Sequence, residues 1–324
     1  MTYKEKRINY IKNLEDKMRS SIMRKDLFEN TPNVEMQPLN GNQMYAKLEG
    51  YNFFGSAKDR AAAYVINKLL DNGVINLNTE IIESSSGNMG VALAGVCGAM
   101  GIKVTIVIDQ SINKMNEYLI RAMGANVIKA TKPDENNSFL KERLSIVKEY
   151  IKNHENVYWF NQYENELIPI AYKETVGKEI IREIPDIDMV FVAISSGGTI
   201  CGIADAMKEY NPQIEVVAVD VKGSKIFEPN TSVKKHFTGI GSSIQTVNMK
   251  KAKFDDYIVI DEERARNTLQ LLLAQEKMFL GGSSGCVYAG AQKYLVDKHI
   301  TGKKVVCVFH DMGGRYFESI YQKI

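Results

Sequence analysis

The chain has 324 residues and a formal net charge of +2 at pH 7, with 41 Lys and Arg residues against 39 Asp and Glu residues. This length suffices for one large or two medium domains with apolar cores. The balanced charge excludes the basic surface typical of nucleic-acid-binding proteins. Because no apolar run reaches membrane-spanning length and the N-terminus is too charged for a secretory signal, we expect a cytoplasmic protein without a membrane contact.

Cysteine and histidine usage gives no sign of a metal site. The four cysteines are far apart and form no C-x-x-C pair, and the four histidines include no H-E-x-x-H pattern. The cysteines, Cys97, Cys201, Cys286 and Cys307, lie in apolar surroundings. We predict buried free thiols and neither zinc nor disulfides.

The first predicted elements are a helix and a hairpin. Apolar residues at helical spacing predict one amphipathic helix within residues 2–29, packed on the body of the protein or on a second subunit. Two short strand patterns follow, Val34–Leu39 and Gln43–Leu48, around the turn Asn40-Gly41-Asn42.

From Lys58 onward, predicted strands alternate with predicted helices. The strand segments are 80–83, 103–108, 127–130, 157–160, 189–194, 214–219, 257–260 and 304–309. The helical segments are 61–66, 91–100, 118–123, 139–153, 168–184, 200–210, 262–278 with Asp261 as N-cap, and one that follows Gly285. Residues 223–247 are predicted to be irregular. This alternation predicts an α/β fold with mostly parallel sheets.

Lys58 stands at a distinctive place, after a Gly-Ser turn and before an Ala-rich helix. Any single lysine is most simply a solvated surface charge. At a helix N-terminus, however, the positive end of the helix dipole makes the neutral amine easier to reach. A neutral amine is the form that a Schiff-base lysine requires.

Three Ser/Gly-rich loops are predicted to follow a strand and open a helix: 84–90, 195–199 and 281–285. Such loops present backbone N–H groups and hydroxyls to anions. Each alone reads as an ordinary tight turn, but three in one chain indicate a phosphorylated ligand. Neither a Walker lysine nor G-x-G-x-x-G is present, so we expect neither ATP nor NAD. One lysine with phosphate-type loops indicates pyridoxal 5'-phosphate.

The motifs resemble those of the cysteine synthase/cystathionine β-synthase family, which are fold type II pyridoxal phosphate enzymes. Gly55-Ser56-Ala57-Lys58-Asp59-Arg60 resembles the family's G-S-x-K-D-R, and Ser85-Ser86-Gly87-Asn88-Met89-Gly90 resembles its T-S-G-N-T-G. The resemblance implies a Schiff base on Lys58 and a hydrogen bond from Asn88 to the cofactor's 3-hydroxyl. It also implies that Ser85, Ser86, Gly87 and Met89 hold the substrate carboxylate, mostly through backbone groups.

Further motifs extend the resemblance from about Thr31 to Tyr316. Ser195-Ser196-Gly197-Gly198-Thr199 resembles the phosphate cup G-T-G-G-T, and Gln162 matches a further carboxylate contact. Ser283 matches the serine at the pyridine nitrogen. A neutral partner there suits β-elimination over transamination or racemisation. Asp311-x-Gly313-x-Arg315-Tyr316 resembles the family's D-S-G-x-R-Y.

The implied fold is of the tryptophan synthase β type, with two open, parallel-type sheets that have helices on both faces. A large domain would comprise residues 1–49 and 161–324, and a small mobile domain residues 50–160. The implied reaction is β-replacement on a serine-derived amino acid. Lys58 would remove the α-proton, a leaving group would depart from Cβ to give an aminoacrylate, and a nucleophile would add there. The resemblance also implies a homodimer with small amino-acid substrates.

Some residues depart from the family pattern. The phosphate cup begins with Ser195-Ser196, Asn52-Phe53 replaces the usual Asn-Pro, and His310 replaces the usual proline before Asp311. Residues 161–167 and 219–224 look closest to the siderophore-pathway N-(2-amino-2-carboxyethyl)-L-glutamate synthases, which join O-phospho-L-serine to L-glutamate.

That subgroup resemblance implies donor contacts by Arg143, Tyr163 and Ser195, and Gly239 is a further substrate-binding candidate. An arginine suits a phosphate leaving group because of its bidentate fork, although Arg143 also reads as a solvated charge on an amphipathic helix. Two enzyme alternatives stay open: cysteine synthase proper, and a cysteine lyase that releases sulfide. A catalytically silent binding or regulatory relative is the alternative of another class, and the intact Lys58 and Asn88 count against it.

Overall fold

The computed structural model describes residues 28–134 and 138–323, so the predicted N-terminal helix lies almost wholly outside the described residues. The chain forms two compact units. We call Ala62–Asn161 the four-stranded unit, and Glu29–Ala61 with Gln162–Ile324 the six-stranded unit. The predicted mobility of a smaller domain at residues 50–160 stays a prediction.

The described residues contain ten strands. They are β1 (Asn33–Leu39), β2 (Asn42–Leu48), β3 (Glu80–Ser84), β4 (Val104–Asp109), β5 (Asn126–Ala130), β6 (Val157–Trp159), β7 (Met189–Ala193), β8 (Glu215–Val221), β9 (Asp256–Ile260) and β10 (Lys304–Phe309).

The α-helices alternate with these strands. They are α1 (Lys58–Asp71), α2 (Asn88–Met100), α3 (Lys114–Ala122), α4 (Leu140–Asn153), α5 (Leu167–Tyr172), α6 (Lys178–Glu183), α7 (Gly198–Tyr210), α8 (Val247–Lys251), α9 (Glu262–Leu271) and α10 (Gly282–Asp297).

Each unit has one sheet. The six-stranded unit has the order β1-β2-β10-β7-β8-β9, in which β1 and β2 form the predicted antiparallel hairpin and the remaining neighbours are parallel. The four-stranded unit has the order β5-β4-β3-β6, with every pair parallel. The α/β prediction is therefore confirmed. Since all strands except β1 run in one direction within their sheet, the loops that follow them lie at one edge of each sheet.

The cores form because the parallel strands are apolar on both faces. All six residues of β4 are buried, as are all five of β7, which is the pattern expected of strands covered by helices on both sides. The four cysteines are buried free thiols, as predicted. In the described residues no helix is long and apolar enough to cross a membrane, and no cluster of side chains there could hold a metal ion.

Three helix predictions need correction. The predicted helix 168–184 contains a π-helical turn at Lys173–Gly177. There the Thr175 hydroxyl donates to Ala171 O, the carbonyl that the Thr175 N–H would bond in a regular α-helix. The predicted helix 262–278 begins as expected after the N-cap Asp261, but it passes into a π turn and ends at Lys277, which has φ 59°. The short helix α8 was missed, because its five residues are too few to give a periodic signal.

One loop prediction was also wrong. No strand precedes Gly281, because Leu280 forms only an isolated bridge to Met312. Helix α10 nevertheless begins there, with Gly281 as its N-cap. The small residues at the start of α10 allow close packing there. A Gly/Ser pattern is common to such a helix start and to a loop after a strand, so it did not reveal that the strand is absent.

A buried ion network lies beneath the start of α1. The guanidinium of Arg60 bonds Glu49 on one side, with Nε–Oε2 at 2.6 Å, and Glu179 on the other, with Nη1–Oε1 at 2.6 Å. The Thr31 hydroxyl accepts a further bond from Nη2, and Lys47 pairs with Glu179 and Glu183. Burial opposes ionisation of Glu179, but Arg60 and Lys47 lower the pKa of its carboxyl to about 2.

We expect Arg60→Ala to lower the free energy of unfolding by about 3–5 kcal/mol, because it leaves two carboxylates buried without their cation. Arg182→Ala is the matched control, since its side chain is 60% exposed and its loss should change stability by about 0.5 kcal/mol or less. Urea unfolding followed by circular dichroism gives both values. Equal effects of the two substitutions would contradict a central role for the network.

Candidate active site

The turn before Lys58 is held by its neighbour Asp59. The Asp59 carboxylate accepts the N–H of Phe54 at 2.6 Å and the hydroxyl of Ser56 at 3.1 Å. Arg315 donates to Phe54 O from the opposite side of this turn. The backbone that carries Lys58 is thus fixed by side chains on both sides.

Lys58 is the first residue of α1, and its amine lies in a partly apolar environment. Its Nζ is 5.9 Å from the centre of the Tyr172 ring. Burial lowers the pKa of Lys58 to about 8, against an opposing effect of the Asp311 charge. The sequence argument attributed an easier neutral form to the helix dipole, whereas the structure assigns the lowering mainly to burial.

Two residues after β10 pack against the Lys58 turn. Ala57 N donates to His310 O at 2.8 Å, and Ser56 forms an antiparallel bridge with Asp311. The His310 ring is buried, and its Nδ1 has no hydrogen-bond partner among the described residues. Burial, together with the Lys58 charge, lowers the pKa of His310 to about 3, so the imidazole is neutral at physiological pH.

The phosphate-type loop follows β7 as predicted and opens α7. Gly197 has φ 86° and is the N-cap of this helix. A Cβ on Gly197 would lie 2.5 Å from Met249 N, so only glycine fits there. The Tyr172 ring lies near Gly198, since a Cβ built on Gly198 would be 3.9 Å from Tyr172 Cε2. Tyr172 is therefore the shared neighbour of this loop and of Lys58.

The hydroxyls of this loop differ in their bonding. The Ser195 hydroxyl donates to Gly241 O at 3.0 Å. The Thr199 Oγ1 atom is buried and, within the part of the chain that the structure describes, has no partner that meets hydrogen-bond geometry. Its neighbour is the Tyr172 hydroxyl, and the first N–H groups of α7 have no intrahelical acceptor. These groups fit the phosphate of pyridoxal phosphate.

Other predicted residues lie in the six-stranded unit with Lys58. Ser283 is buried in the first turn of α10, and Gly281 N, just before it, donates to Asp311 O at 3.0 Å. Asp311 also accepts the hydroxyl of Tyr316. Gly239 has φ 82°, and a Cβ there would lie 3.5 Å from that Tyr316 hydroxyl. Gln162 is buried and Tyr163 is partly buried, after β6 and before α5.

The remaining predicted residues lie in the four-stranded unit. Ser85, Ser86 and Gly87 form the turn between β3 and α2, whose first two residues are Asn88 and Met89. Ser85 and Met89 are buried, and the others are partly buried. A helix N-terminus that follows a parallel strand is a suitable place for a carboxylate.

Arg143 is not the solvated surface charge that its helix pattern allows. Its side chain is 13% exposed, and its Nε lies 3.2 Å from Asp109 Oδ2. Asp109 in turn accepts the hydroxyl of Ser86 at 2.8 Å. The structure therefore connects Arg143 to the predicted carboxylate loop.

Sequence reasoning missed Asp109 and Tyr172. Asp109 could have been noticed, because it ends the buried strand next to β3 and parallel neighbours bring their ends together. Tyr172 gave no comparable signal, since an aromatic residue on an apolar helix most often fills a core.

Known proteins resemble this chain in sequence and in fold. The family described as pyridoxal-phosphate dependent enzyme matches residues 25–311. An O-acetylserine dependent cystathionine β-synthase from Helicobacter pylori is 29% identical, with a TM-score of 0.83 over 92% of this chain and 97% of that one. A hydrogen sulfide-producing enzyme from Fusobacterium nucleatum is 30% identical, with a TM-score of 0.84 over 90% and 96%. An O-ureido-L-serine synthase is 25% identical, with a TM-score of 0.85 over 93% and 94%.

We expect Gly197→Ala to weaken the binding of pyridoxal phosphate by roughly tenfold or more, because the added Cβ meets Met249 N and the backbone conformation is unfavourable for alanine. Gly314→Ala is the control, since a Cβ there has nothing within 4 Å. Equilibrium titration of the cofactor-free protein measures both affinities. If Gly197→Ala binds the cofactor as tightly as Gly314→Ala, the loop is not the phosphate site.

Proposed function

The chain belongs to the pyridoxal-phosphate dependent enzyme family, and from this premise we propose that it catalyses β-replacement on a serine-derived amino acid. Our preferred donor is O-phospho-L-serine and our preferred nucleophile is L-glutamate. The observation that supports the reaction type is the placement of Lys58: Tyr172 lies near both its amine and the glycine-rich loop that opens α7.

Lys58 is proposed to bind the cofactor covalently and to move the substrate's α-proton. Bound pyridoxal phosphate supplies an electron sink that acidifies this proton. A base must be neutral to accept a proton, and with a pKa of about 8 roughly a tenth of the Lys58 amine is neutral at pH 7. An unshifted lysine would be neutral in only about one molecule in three thousand. Burial therefore equips Lys58 for this role.

The other proposed contacts follow the geometry of the loops. Ser195, Ser196, Gly197, Gly198 and Thr199 would hold the phosphate, and Ser283 in the first turn of α10 would face the pyridine nitrogen. Asn88 would bond the cofactor's 3-hydroxyl. Ser85, Ser86, Gly87, Met89 and Gln162 would bind the substrate carboxylate. Gly239 and Tyr163 complete the proposed substrate contacts.

The preference for O-phospho-L-serine rests on Arg143. A phosphate leaving group requires a cation, whereas acetate and thiolate do not. The Arg143 guanidinium is mostly buried beside Asp109, which bonds Ser86 of the proposed carboxylate loop. Only its Nε is placed against Asp109, which leaves the rest of the guanidinium for an oxyanion.

A second candidate is the use of cysteine or O-acetylserine as the donor. It is favoured by two similar structures, whose descriptions are a hydrogen sulfide-producing enzyme and an O-acetylserine dependent cystathionine β-synthase. The pairing of Arg143 with Asp109 is compatible with it, because a neutralised arginine does not demand an anionic leaving group. Rates with the three donors distinguish the two candidates.

Lys58→Ala should give a protein that binds pyridoxal phosphate without a covalent bond. After borohydride reduction of the wild-type protein, peptide mapping should find the label on Lys58. Lys58→Arg is a useful companion, because it keeps a cation at the site without a nucleophilic amine. A label on another lysine would show that the assignment is wrong.

Arg143→Ala should reduce kcat/KM for O-phospho-L-serine about thirty- to a hundredfold more than for O-acetylserine or cysteine, since it removes a charge-assisted contact worth on the order of 2–3 kcal/mol. Lys141→Ala, an exposed position on the same helix, is the control and should leave all three rates unchanged. The part of the loss in kcat/KM that is the same for all three donors reflects the lost contact between Arg143 and Asp109. Equal losses on all donors would contradict the phosphate assignment.

A further inference from the structure

The Ser86 hydroxyl is fully engaged inside the four-stranded unit. It donates its single hydrogen to Asp109 Oδ2 at 2.8 Å and accepts the Asp109 N–H at 2.9 Å. A serine hydroxyl has one hydrogen to donate. While this bond is made, Ser86 can offer a substrate carboxylate only its backbone N–H.

The sheet explains why these two residues meet. Strands β3 and β4 are parallel neighbours, with Ser84 opposite Val107, so both chains leave the sheet at the same edge. Ser85 N is tied to Val107 O at 3.0 Å. The turn that begins at Ser86 therefore starts beside the end of β4, where Asp109 stands.

Asp109 is itself held by several groups. Its Oδ1 accepts the N–H and the hydroxyl of Ser111, and its Oδ2 faces the Nε of Arg143 at 3.2 Å. The Asn116 side chain holds the Ser86 carbonyl at 3.3 Å. These contacts hold Asp109 in place. Ser86 is fixed at its hydroxyl by Asp109 and at its carbonyl by Asn116.

The positive charge of Arg143 reduces the repulsion between Asp109 and a bound carboxylate. A buried carboxylate next to a loop that binds carboxylates would repel the ligand at this distance. The adjacent guanidinium offsets that charge, so Asp109 can act as a hydrogen-bond acceptor without excluding an anion.

We propose that Asp109 is a positioning residue for substrate binding, which fixes Ser86 within the 85–89 turn so that the Ser86 backbone N–H faces the substrate's α-carboxylate. This rests on the proposed carboxylate role of that turn. Asp109 does not touch the substrate, and its effect is confined to ligands that carry the carboxylate.

The experiment compares L-serine with ethanolamine, which lacks only the carboxylate. Each is titrated into the cofactor-loaded full chain, and binding is followed by the cofactor's absorbance. We expect Asp109→Ala to weaken L-serine about tenfold and ethanolamine less than about twofold. Asp109→Asn should stay within about threefold of wild type, because its amide oxygen can still accept the Ser86 hydroxyl.

Two further variants test the route through Ser86. Lys141→Ala, the control, changes an exposed side chain of the same unit and should leave the preference for L-serine unchanged. Ser86→Ala should weaken L-serine as Asp109→Ala does, and should add less than about twofold when the two are combined. If Asp109→Ala does not fold, Ser86→Ala removes the same bond from the other side and must show the same selective loss.

The outcomes separate the two proposals. If wild type binds L-serine no better than ethanolamine, the carboxylate role of the turn is wrong and the Asp109 proposal falls with it. If wild type prefers L-serine and Asp109→Ala keeps that preference, only the Asp109 proposal falls. Equal weakening of both ligands, or fully additive effects of Asp109→Ala and Ser86→Ala, would also overturn it.

Discussion

The guanidinium of Arg60 makes the contacts on which the position of Lys58 depends. A cation at 1% exposure is tolerable only when its donors are satisfied, and Arg60 finds acceptors on Glu49, Glu179 and Thr31. These acceptors come from three distant parts of the chain. Because Lys58 stands two residues earlier in the same helical turn, the chain that satisfies Arg60 also fixes Lys58.

Three consecutive residues therefore have different roles at this turn. Arg60 fixes the turn through its buried ion pairs, and Asp59 closes the preceding loop through Phe54 and Ser56. The Lys58 amine, within the described residues, makes no ion pair as close as those of Arg60. Burial outweighs the Asp311 charge at Lys58, and the His310 ring beside it stays neutral because burial, together with the Lys58 charge, lowers its pKa. The network fixes the position of this turn, and the lowered pKa of Lys58 makes its neutral amine accessible.

The sequence predicted those features that depend on local patterns. The hairpin, the parallel strands, the phosphate-type loop after β7 and the N-cap at Asp261 follow from apolar spacing and turn residues. The π turns and the missing strand before Gly281 depend on packing between distant segments, which no local pattern records. The partner of Arg143 was unpredictable for the same reason: helix periodicity gives a side chain's direction and not the Asp109 carboxylate that meets it.

Three hydroxyls of the two proposed anion-binding loops, 84–90 and 195–199, differ in their hydrogen bonds. Ser86 and Ser195 donate their hydrogens within the protein, to Asp109 and to Gly241 O, so each fastens its own loop. The Thr199 Oγ1 atom is buried and interacts with the Tyr172 hydroxyl, although no contact it makes in the described residues meets strict hydrogen-bond geometry. Residue type alone does not distinguish these three hydroxyls. Their bonding differs, because Ser86 and Ser195 fasten the backbone of their own loops and Thr199 lies against the Tyr172 hydroxyl.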